Sequence, residues 1–147
     1  MSEKFEHIKI KYLDDEITPL VLTGYGDWID LRCAKDVLLM KGSYVEIPLG
    51  IAVELPKGYE AIITARSSSF KKYGFLVANS IAVIDESYNG DNDEWHLLVY
   101  GTRDATIPKD TRIAQFRIIE HQPNLGLYKV ETLGNPDRGG IGSSGEK

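Results

Sequence analysis

The chain has 147 residues, 42% of them hydrophobic, which is enough for one domain with a buried core. A formal net charge of -5 argues against nucleic acid or an anionic membrane as a partner, because both select basic surfaces. The single cysteine, Cys33, excludes an internal disulfide. With no membrane-spanning apolar run and no signal-peptide-like start, this predicts a cytoplasmic protein.

Strand patterns recur at short spacing between turns rich in Gly, Pro, Asn and Asp. The first alternates from Ile8 to Tyr12, and the clearest covers residues 45–55, where Pro48 indicates an edge strand or a β-bulge. Further strands are predicted at residues 61–65, 95–100, 113–119 and, last, 127–131. Because no long amphipathic helix interrupts them, the sequence predicts an all-β fold, either a sandwich, a jelly roll or a closed barrel.

The stretch around which we expect the chemistry to be organised is residues 79–90. Here an apolar strand ends on Asp85 and turns through Ser, Asn and Gly, with Tyr88 at the bend. A hairpin of this kind presents a reactive carboxylate, which makes Asp85 the candidate catalytic residue. A helix-loop-helix calcium site is excluded because His96 stands where its closing glutamate is required.

A second polar cluster, Arg66-Ser67-Ser68-Ser69, follows the strand predicted at residues 61–65. The arginine side chain offers a planar fork of donors that suits phosphate, and hydroxyl groups can bind phosphate oxygens. The alternative is a serine-rich turn or helix cap with a solvated Arg66, which is the simpler interpretation of this cluster alone.

The end of the chain, residues 135–147, is rich in glycine and cannot bury a core, so we expect a flexible arm after a β-barrel domain of residues 1–134. Arg138 is followed by glycines and by Ser143 and Ser144. Glycine lets backbone N–H groups converge on oxygens while arginine supplies charge, which are the requirements of a phosphate clamp. It is not a Walker loop, since Glu146 stands where the lysine is required.

In their order and spacing, these stretches resemble the five motifs of the trimeric all-β dUTPase family over nearly the whole chain. The matching stretches are Asp30-Leu31, Arg66-Ser67-Ser68 with Gly74, residues 79–90, residues 111–115 and residues 138–145. The resemblance implies a jelly-roll-like β barrel and a homotrimer in which three chains share each active site. It also implies hydrolysis of dUTP to dUMP and pyrophosphate, which limits uracil in DNA and supplies dUMP for dTMP synthesis.

Residue roles follow from the same resemblance. Asp85 would hold the ribose 3′-hydroxyl and orient a water for in-line attack on the α-phosphorus. Arg66 would organise the site through a carboxylate such as Asp85, and Asp30 marks the first motif, although alone it reads as an ordinary turn acid. Tyr88 would pack on the deoxyribose and exclude a 2′-hydroxyl, unless it simply packs on the barrel, which predicts no such selectivity.

The remaining contacts implied by the resemblance divide among the uracil edge, the phosphates and closure over the γ-phosphate. Asn79 and the main chain of Val83 and Ile84 would contact the uracil edge. The phosphates would be bound by Ser67, Ser68 and Gln115, and closure over the γ-phosphate would involve Arg138, Ser143 and Ser144. Magnesium is implied as well. Because the sequence has no His or carboxylate set with metal-ligand spacing, we expect the triphosphate to supply most of its ligands.

The fifth motif departs from the family pattern. It is two residues shorter, and Ile141 replaces the aromatic residue that stacks over the uracil. Trp95 and His96 follow the third motif and are candidates for the missing lid. The alternative is that Trp95 packs in the barrel and His96 is solvated.

Two other functions are compatible with the sequence. A dCTP deaminase shares the fold but needs a glutamate on the strand after the third motif, where this chain has Trp95-His96-Leu97-Leu98-Val99 and places Glu94 in the predicted turn. A nucleotide-gated regulator could instead contact another protein through the acidic loop at residues 91–94.

Overall fold

The computed structural model describes residues 5–142. Within them, the strands are β1 (Lys9–Tyr12), β2 (Ile29–Arg32), β3 (Val37–Leu39), β4 (Tyr44–Glu54), β5 (Tyr59–Ala65), β6 (Phe75–Val77), β7 (Ala82–Ile84), β8 (Glu94–Gly101), β9 (Ala105–Ile107) and β10 (Arg112–Glu120). One short helix, α1 (Ser69–Tyr73), lies between β5 and β6. No helix in residues 5–142 is long and apolar enough to cross a membrane.

The strands form two four-stranded antiparallel sheets, in the orders β1-β4-β8-β6 and β2-β10-β5-β7, with β3 and β9 as a separate pair. The buried core contains residues from both four-stranded sheets, as the alternation of apolar residues predicts. This arrangement confirms the prediction of an all-β fold. Glu94, which was predicted to lie in a turn, is the first residue of β8.

The longest strand, β4, carries the irregularity that Pro48 predicts. Pro48 pairs with His96 of β8, but the next pair is Ala52 with Glu94, so the register shifts between them. Gly50 lies inside this bulge with φ of 73°, a left-handed conformation that favours glycine. Pro48 is therefore at a bulge, which lets β4 bend between its two neighbours.

Alternation along β8 separates its two faces. Trp95, Leu97 and Val99 are buried, and Trp95 packs edge-to-face on Phe116 with ring centroids 5.1 Å apart. His96 and Leu98 lie on the opposite, half-buried face. Trp95 is 0% exposed, so its prediction as a lid is wrong and the alternative, packing in the core, is confirmed.

The strand predicted at residues 127–131 is not formed in the described chain. The sheets end at Glu120, and residues 121–142 are exposed and carry no strand. A strand needs a neighbour for its N–H and C=O groups, and no strand of residues 5–142 pairs with this segment. The division into a domain ending at residue 134 and an arm stays a prediction.

Candidate active site

A cleft of about 450 Å³ lies between β7, with the turns on either side of it, and the outer face of β8. The chain passes from β6 in one sheet to β7 in the other through a turn at Ser80, whose φ of 60° is left-handed and whose N–H donates to the Val77 carbonyl oxygen at 3.0 Å. The cleft is lined by Asn79, Ala82, Val83, Ile84, Asp85, Ser87, Tyr88, Glu94, His96 and Leu98. It therefore brings together all the residues predicted to contact the nucleoside, and its size suits a base with its sugar.

Asp85 lies at the end of β7, on the rim of the cleft. Its Oδ2 accepts a hydrogen bond from the Ser87 N–H at 2.9 Å and a second, short one from the Ser87 hydroxyl. These two bonds lower the pKa of Asp85 below its ordinary value, against a small opposing effect of burial and with a weaker contribution from the charge of His121. Asp85 is therefore held as a carboxylate that can accept a proton.

Sequence reasoning missed Ser87. An aspartate whose side chain bonds the backbone two residues later forms an Asx-turn, and the Asp85-Glu86-Ser87 order is a local signal for it. The serine hydroxyl adds a second donor to the same carboxylate oxygen. The orientation of the candidate catalytic group is thus set within three residues.

The rings of Tyr88 and His96 are anchored to one carbonyl group. The Tyr88 hydroxyl donates to the Glu94 carbonyl oxygen at 2.9 Å, and Nδ1 of His96 lies 3.0 Å from the same oxygen. The Tyr88 side chain is 39% exposed and lines the cleft, rather than being buried on the barrel. His96 is half-buried in the cleft wall, and its role as a lid stays a prediction.

A second cluster lies where β2, β10 and β5 run side by side. Nε of Arg66 donates to Oδ1 of Asp30 at 3.0 Å, and Nη1 of Arg112 lies 3.5 Å from Oδ2 of the same carboxylate. Within one chain the partner of Arg66 is Asp30, and the expected action of Arg66 through a carboxylate such as Asp85 stays a prediction. Asp30 is also not a turn acid; it lies in β2, opposite Gln115 of β10.

Gln115 and the serines belong to this second cluster. Nε2 of Gln115 donates to the carbonyl oxygen of Ala65, the residue directly before Arg66, at 3.3 Å. Ser67 is exposed, and Ser68 occupies the N-cap position of α1 without a capping hydrogen bond from its side chain. Ser69 is buried and donates to the Ile113 carbonyl oxygen at 2.9 Å. Ser69 thus has a structural role, and the first two hydroxyl groups remain available for a ligand.

The two clusters lie at opposite ends of β5. Ala61 pairs with Ile84, which places Asp85 beside Glu60 at the start of β5, whereas Arg66 follows its last residue. Six residues of extended chain span about 20 Å. One described chain therefore does not bring Asp85 and Arg66 together.

The arm approaches neither cluster in the described chain. Arg138 is exposed, and its Nε donates to the carbonyl oxygen of the adjacent Gly139 at 3.3 Å. Ile141 is fully exposed. Ser143 and Ser144 lie outside the described residues. Among residues 5–142, no group of three or more His, Cys, Asp and Glu side chains could hold a metal ion.

The small all-β fold carries a nucleoside-sized cleft with an ionised carboxylate on its rim. A separate cluster holds arginine and serine side chains. These features define a nucleotide-binding protein with the groups that a phosphate hydrolase needs. The family model described as dUTPase matches residues 28–145. The chain belongs to the dUTPase family.

Relatives that this chain matches over nearly their whole length carry names that agree with this family. The chain is 52% identical to the SPbeta prophage-derived deoxyuridine 5′-triphosphate nucleotidohydrolase YosS of Bacillus subtilis, covering 95% of this chain and 99% of the relative. It is 37% identical to the deoxyuridine 5′-triphosphate nucleotidohydrolase of Hydrogenobaculum sp., covering 93% and 96%. These findings favour a dUTP hydrolase over the deaminase and the regulator.

Solved structures show the same fold. The dUTPase of Staphylococcus bacteriophage 80alpha with dUpNHpp has a TM-score of 0.78 at 20% identity, covering 95% of this chain and 99% of that one. The dUTPase from phage phi11 of S. aureus, described with a structural Mg(II) ion, has a TM-score of 0.73 at 17% identity, covering 86% and 98%. The jelly-roll-like β fold that the sequence predicts is confirmed by this likeness.

Proposed function

We propose that this protein is a dUTP diphosphatase that hydrolyses dUTP to dUMP and pyrophosphate. Membership of the dUTPase family supports the reaction. The observation that carries it in the structure is the cleft of residues 79–88, which ends on the Asp85 carboxylate that Ser87 holds ionised. The reaction supplies dUMP for dTMP synthesis, and removal of dUTP limits uracil in DNA.

The proposed chemistry is an in-line displacement at the α-phosphorus. Asp85 accepts a hydrogen bond from the ribose 3′-hydroxyl and orients a water molecule, whose proton it takes as the new oxygen–phosphorus bond forms. The bond from the α-phosphorus to the bridging oxygen breaks, and pyrophosphate leaves with its electron pair. An ionised base is required for this step, which is why the low pKa of Asp85 suits it.

Nucleoside selection is assigned to the walls of the cleft. Asn79 and the main chain of Val83 and Ile84 read the uracil edge, and the half-exposed ring of Tyr88 packs on the deoxyribose. A 2′-hydroxyl would meet this ring, so ribonucleotides are rejected by exclusion. His96 is the remaining candidate for the lid, since it lies in the wall of the same cleft.

The phosphates are assigned to the second cluster. Ser67, Ser68 and Gln115 would bind phosphate oxygens and stabilise charge on the leaving pyrophosphate, with Arg66 held in place by Asp30. Because this cluster and Asp85 lie at opposite ends of β5, we propose a homotrimer in which the two clusters of each site come from different subunits. Arg138, Ser143 and Ser144 of an arm would then close over the γ-phosphate.

Magnesium is proposed as the metal, held mainly by triphosphate oxygens and water. Asp85, the carboxylate on the rim of the cleft, is engaged through Oδ2 with Ser87, which fits a metal held by the triphosphate and not by this side chain. When bound, the ion would neutralise phosphate charge. A cytoplasmic location is proposed from the lone, buried Cys33.

The experiment that tests the function is pyrophosphate release with magnesium from dUTP, dCTP, dTTP and UTP in parallel. We expect release from dUTP alone and its loss in Asp85→Asn, which keeps the shape of the side chain but removes the base. Ammonia release from dCTP would indicate a deaminase. Tight dUTP binding without turnover would indicate a regulator, and either result would contradict the proposal.

A further inference from the structure

Three hydrogen bonds converge on Glu94, the first residue of β8. Its main-chain carbonyl oxygen is the common anchor of the Tyr88 hydroxyl, at 2.9 Å, and of His96 Nδ1, at 3.0 Å. Its carboxylate Oε2 accepts the Gly50 N–H at 2.9 Å. Glu94 therefore connects two side chains of the nucleoside cleft to the bulge of β4.

The backbone ladder is irregular at this point. Pro48, opposite His96, has no N–H to donate, and the register shifts before Ala52 pairs with Glu94. The carboxylate of Glu94 takes the place of a regular ladder bond by accepting the Gly50 N–H inside the bulge. The side chain, and not only the strand pairing, therefore holds the start of β8 against β4.

Gly50 is a rigid support for this bond. Its carbonyl oxygen accepts the Leu13 N–H at 2.8 Å, and a Cβ at Gly50 would lie only 2.9 Å from Ile17 Cδ1 and 3.0 Å from Ala34 Cβ. The backbone at Gly50 is thus enclosed on several sides and has little freedom to shift.

The turn before β8 does not supply this support. Residues 90–93 close on themselves, because Gly90 N–H donates to Asp93 Oδ2 at 2.8 Å and Asp93 N–H donates to the Gly90 carbonyl oxygen at 3.1 Å. An ion pair between Lys11 and Asp91, long at 4.0 Å and exposed, ties the turn to β1 weakly. Glu94 is the residue at which the turn is fixed to the barrel by a part-buried bond.

We propose that Glu94 is a positioning residue for nucleoside selection: its carboxylate, bound to the Gly50 amide, fixes the carbonyl group that anchors Tyr88 and His96. The ring of Tyr88 excludes a 2′-hydroxyl only if it is held in place. Loss of the Glu94 carboxylate, whose Oε2 is bound to the Gly50 amide, then weakens discrimination between deoxyribose and ribose. This inference rests on the proposed function and names a determinant of its sugar selectivity.

The test compares kcat/KM for dUTP and UTP in wild type, Glu94→Ala, Glu94→Gln and Tyr88→Phe. We expect Glu94→Ala to lower the dUTP:UTP ratio by about tenfold, the effect of one hydrogen bond to a charged group. Glu94→Gln keeps an acceptor oxygen and restores most of the ratio. Glu54→Ala removes a carboxylate at the last residue of β4 that forms an exposed ion pair with Lys9; it is the matched control and leaves the ratio unchanged.

Tyr88→Phe removes the anchored hydroxyl directly and lowers the ratio by a similar factor. Since both changes break one chain of contacts, the double variant Tyr88→Phe/Glu94→Ala is no worse than the poorer single variant. A ratio within twofold of wild type in Glu94→Ala, or additive losses in the double variant, would overturn the proposal. If Glu94→Ala does not fold, Glu94→Leu keeps the side-chain bulk without the acceptor and is held to the same criteria.

Binding of dUMP and UMP, measured by calorimetry in the same variants, separates this inference from the proposed function. If wild type binds dUMP more tightly than UMP but releases no pyrophosphate from dUTP, the proposed diphosphatase activity is contradicted. The role of Glu94 is then tested by the binding measurements alone. Normal dUTP turnover with unchanged dUMP:UMP selectivity in Glu94→Ala would contradict only the role of Glu94.

Discussion

At the scale of single residues, the most consequential contact is that between Asp85 and Ser87. The hydroxyl and N–H of Ser87 stabilise the ionised carboxylate, so the pKa of Asp85 is lowered. A base with a lowered pKa is active down to a lower pH, because kcat falls only when the carboxylate is protonated. We therefore predict that Ser87→Ala raises the pKa of Asp85 and moves the acid limb of the kcat–pH profile to higher pH.

The measurement for Ser87→Ala is kcat for pyrophosphate release between about pH 2 and pH 7, because an aspartate pKa at or below its ordinary value places the acid limb below about pH 4. Ser87→Thr, which retains the hydroxyl, is the matched control and should follow wild type. At neutral pH all three proteins should turn over at similar rates, since Asp85 is ionised in each. Coincident acid limbs for Ser87→Ala and wild type would show that the hydroxyl does not set the ionisation of the catalytic base.

Residue patterns predicted some contacts of the site and not others, for a physical reason. Residues 79–88 are one short stretch of chain around β7, so the placement of Asn79, Asp85 and Tyr88 around one cleft follows from local sequence. The partner of Arg66 does not. Asp30 lies 36 positions away, and the two meet only because β2 and β5 both pair with β10, a register that no local pattern encodes.

At the scale of elements, the sequence predicts the bulge in β4. Pro48 signals an irregular strand, and the alternation of β4 is visible in the sequence. The placement of Trp95 is different, because two adjacent residues, Trp95 and His96, point to opposite faces of β8. Alternation indicates that one is buried, and it is Trp95, which shares its face with Leu97 and Val99 and packs on Phe116.

Gly50 in this bulge is predicted to be intolerant of a side chain. Alanine there suffers a left-handed φ of 73° and contacts of 2.9 Å with Ile17 and 3.0 Å with Ala34. We expect Gly50→Ala to lower the free energy of unfolding by about 2–4 kcal/mol, the sum of backbone strain and overpacking. The measurement is urea denaturation at fixed protein concentration.

Gly58 provides the matched control for this substitution. Its φ of 88° is also left-handed, but no atom lies within 4 Å of a Cβ built there. Gly58→Ala should therefore cost only the backbone term, about 1–2 kcal/mol. Equal losses for the two variants would mean that the enclosure of Gly50 by its neighbours contributes nothing to stability.

At the scale of the whole molecule, one chain holds the Asp85 cluster and the Arg66 cluster apart. Asp85 and Arg66 flank the two ends of β5, about 20 Å apart, and residues 121–142 are exposed and carry no strand. Six large apolar side chains of residues 121–142 are exposed: Leu125, Leu127, Tyr128, Val130, Leu133 and Ile141. A homotrimer with shared sites would join the two clusters and give residues 121–142 a surface to cover.

Shared sites predict complementation between two inactive variants. Asp85→Asn removes the base, and Arg66→Ala removes the partner of Asp30, so each homotrimer should be inactive. If every site takes Asp85 from one subunit and Arg66 from its neighbour, random co-expression restores both groups in about one quarter of the sites.

The measurement of complementation is pyrophosphate release from the mixed protein, with its mass determined by light scattering. Co-expression of Asp85→Asn with the double variant Asp85→Asn/Arg66→Ala cannot restore a site and is the control. A trimer whose mixed form is as inactive as this control would mean that each chain builds its own site, and the separation of the two clusters would then have to be closed by movement within the chain.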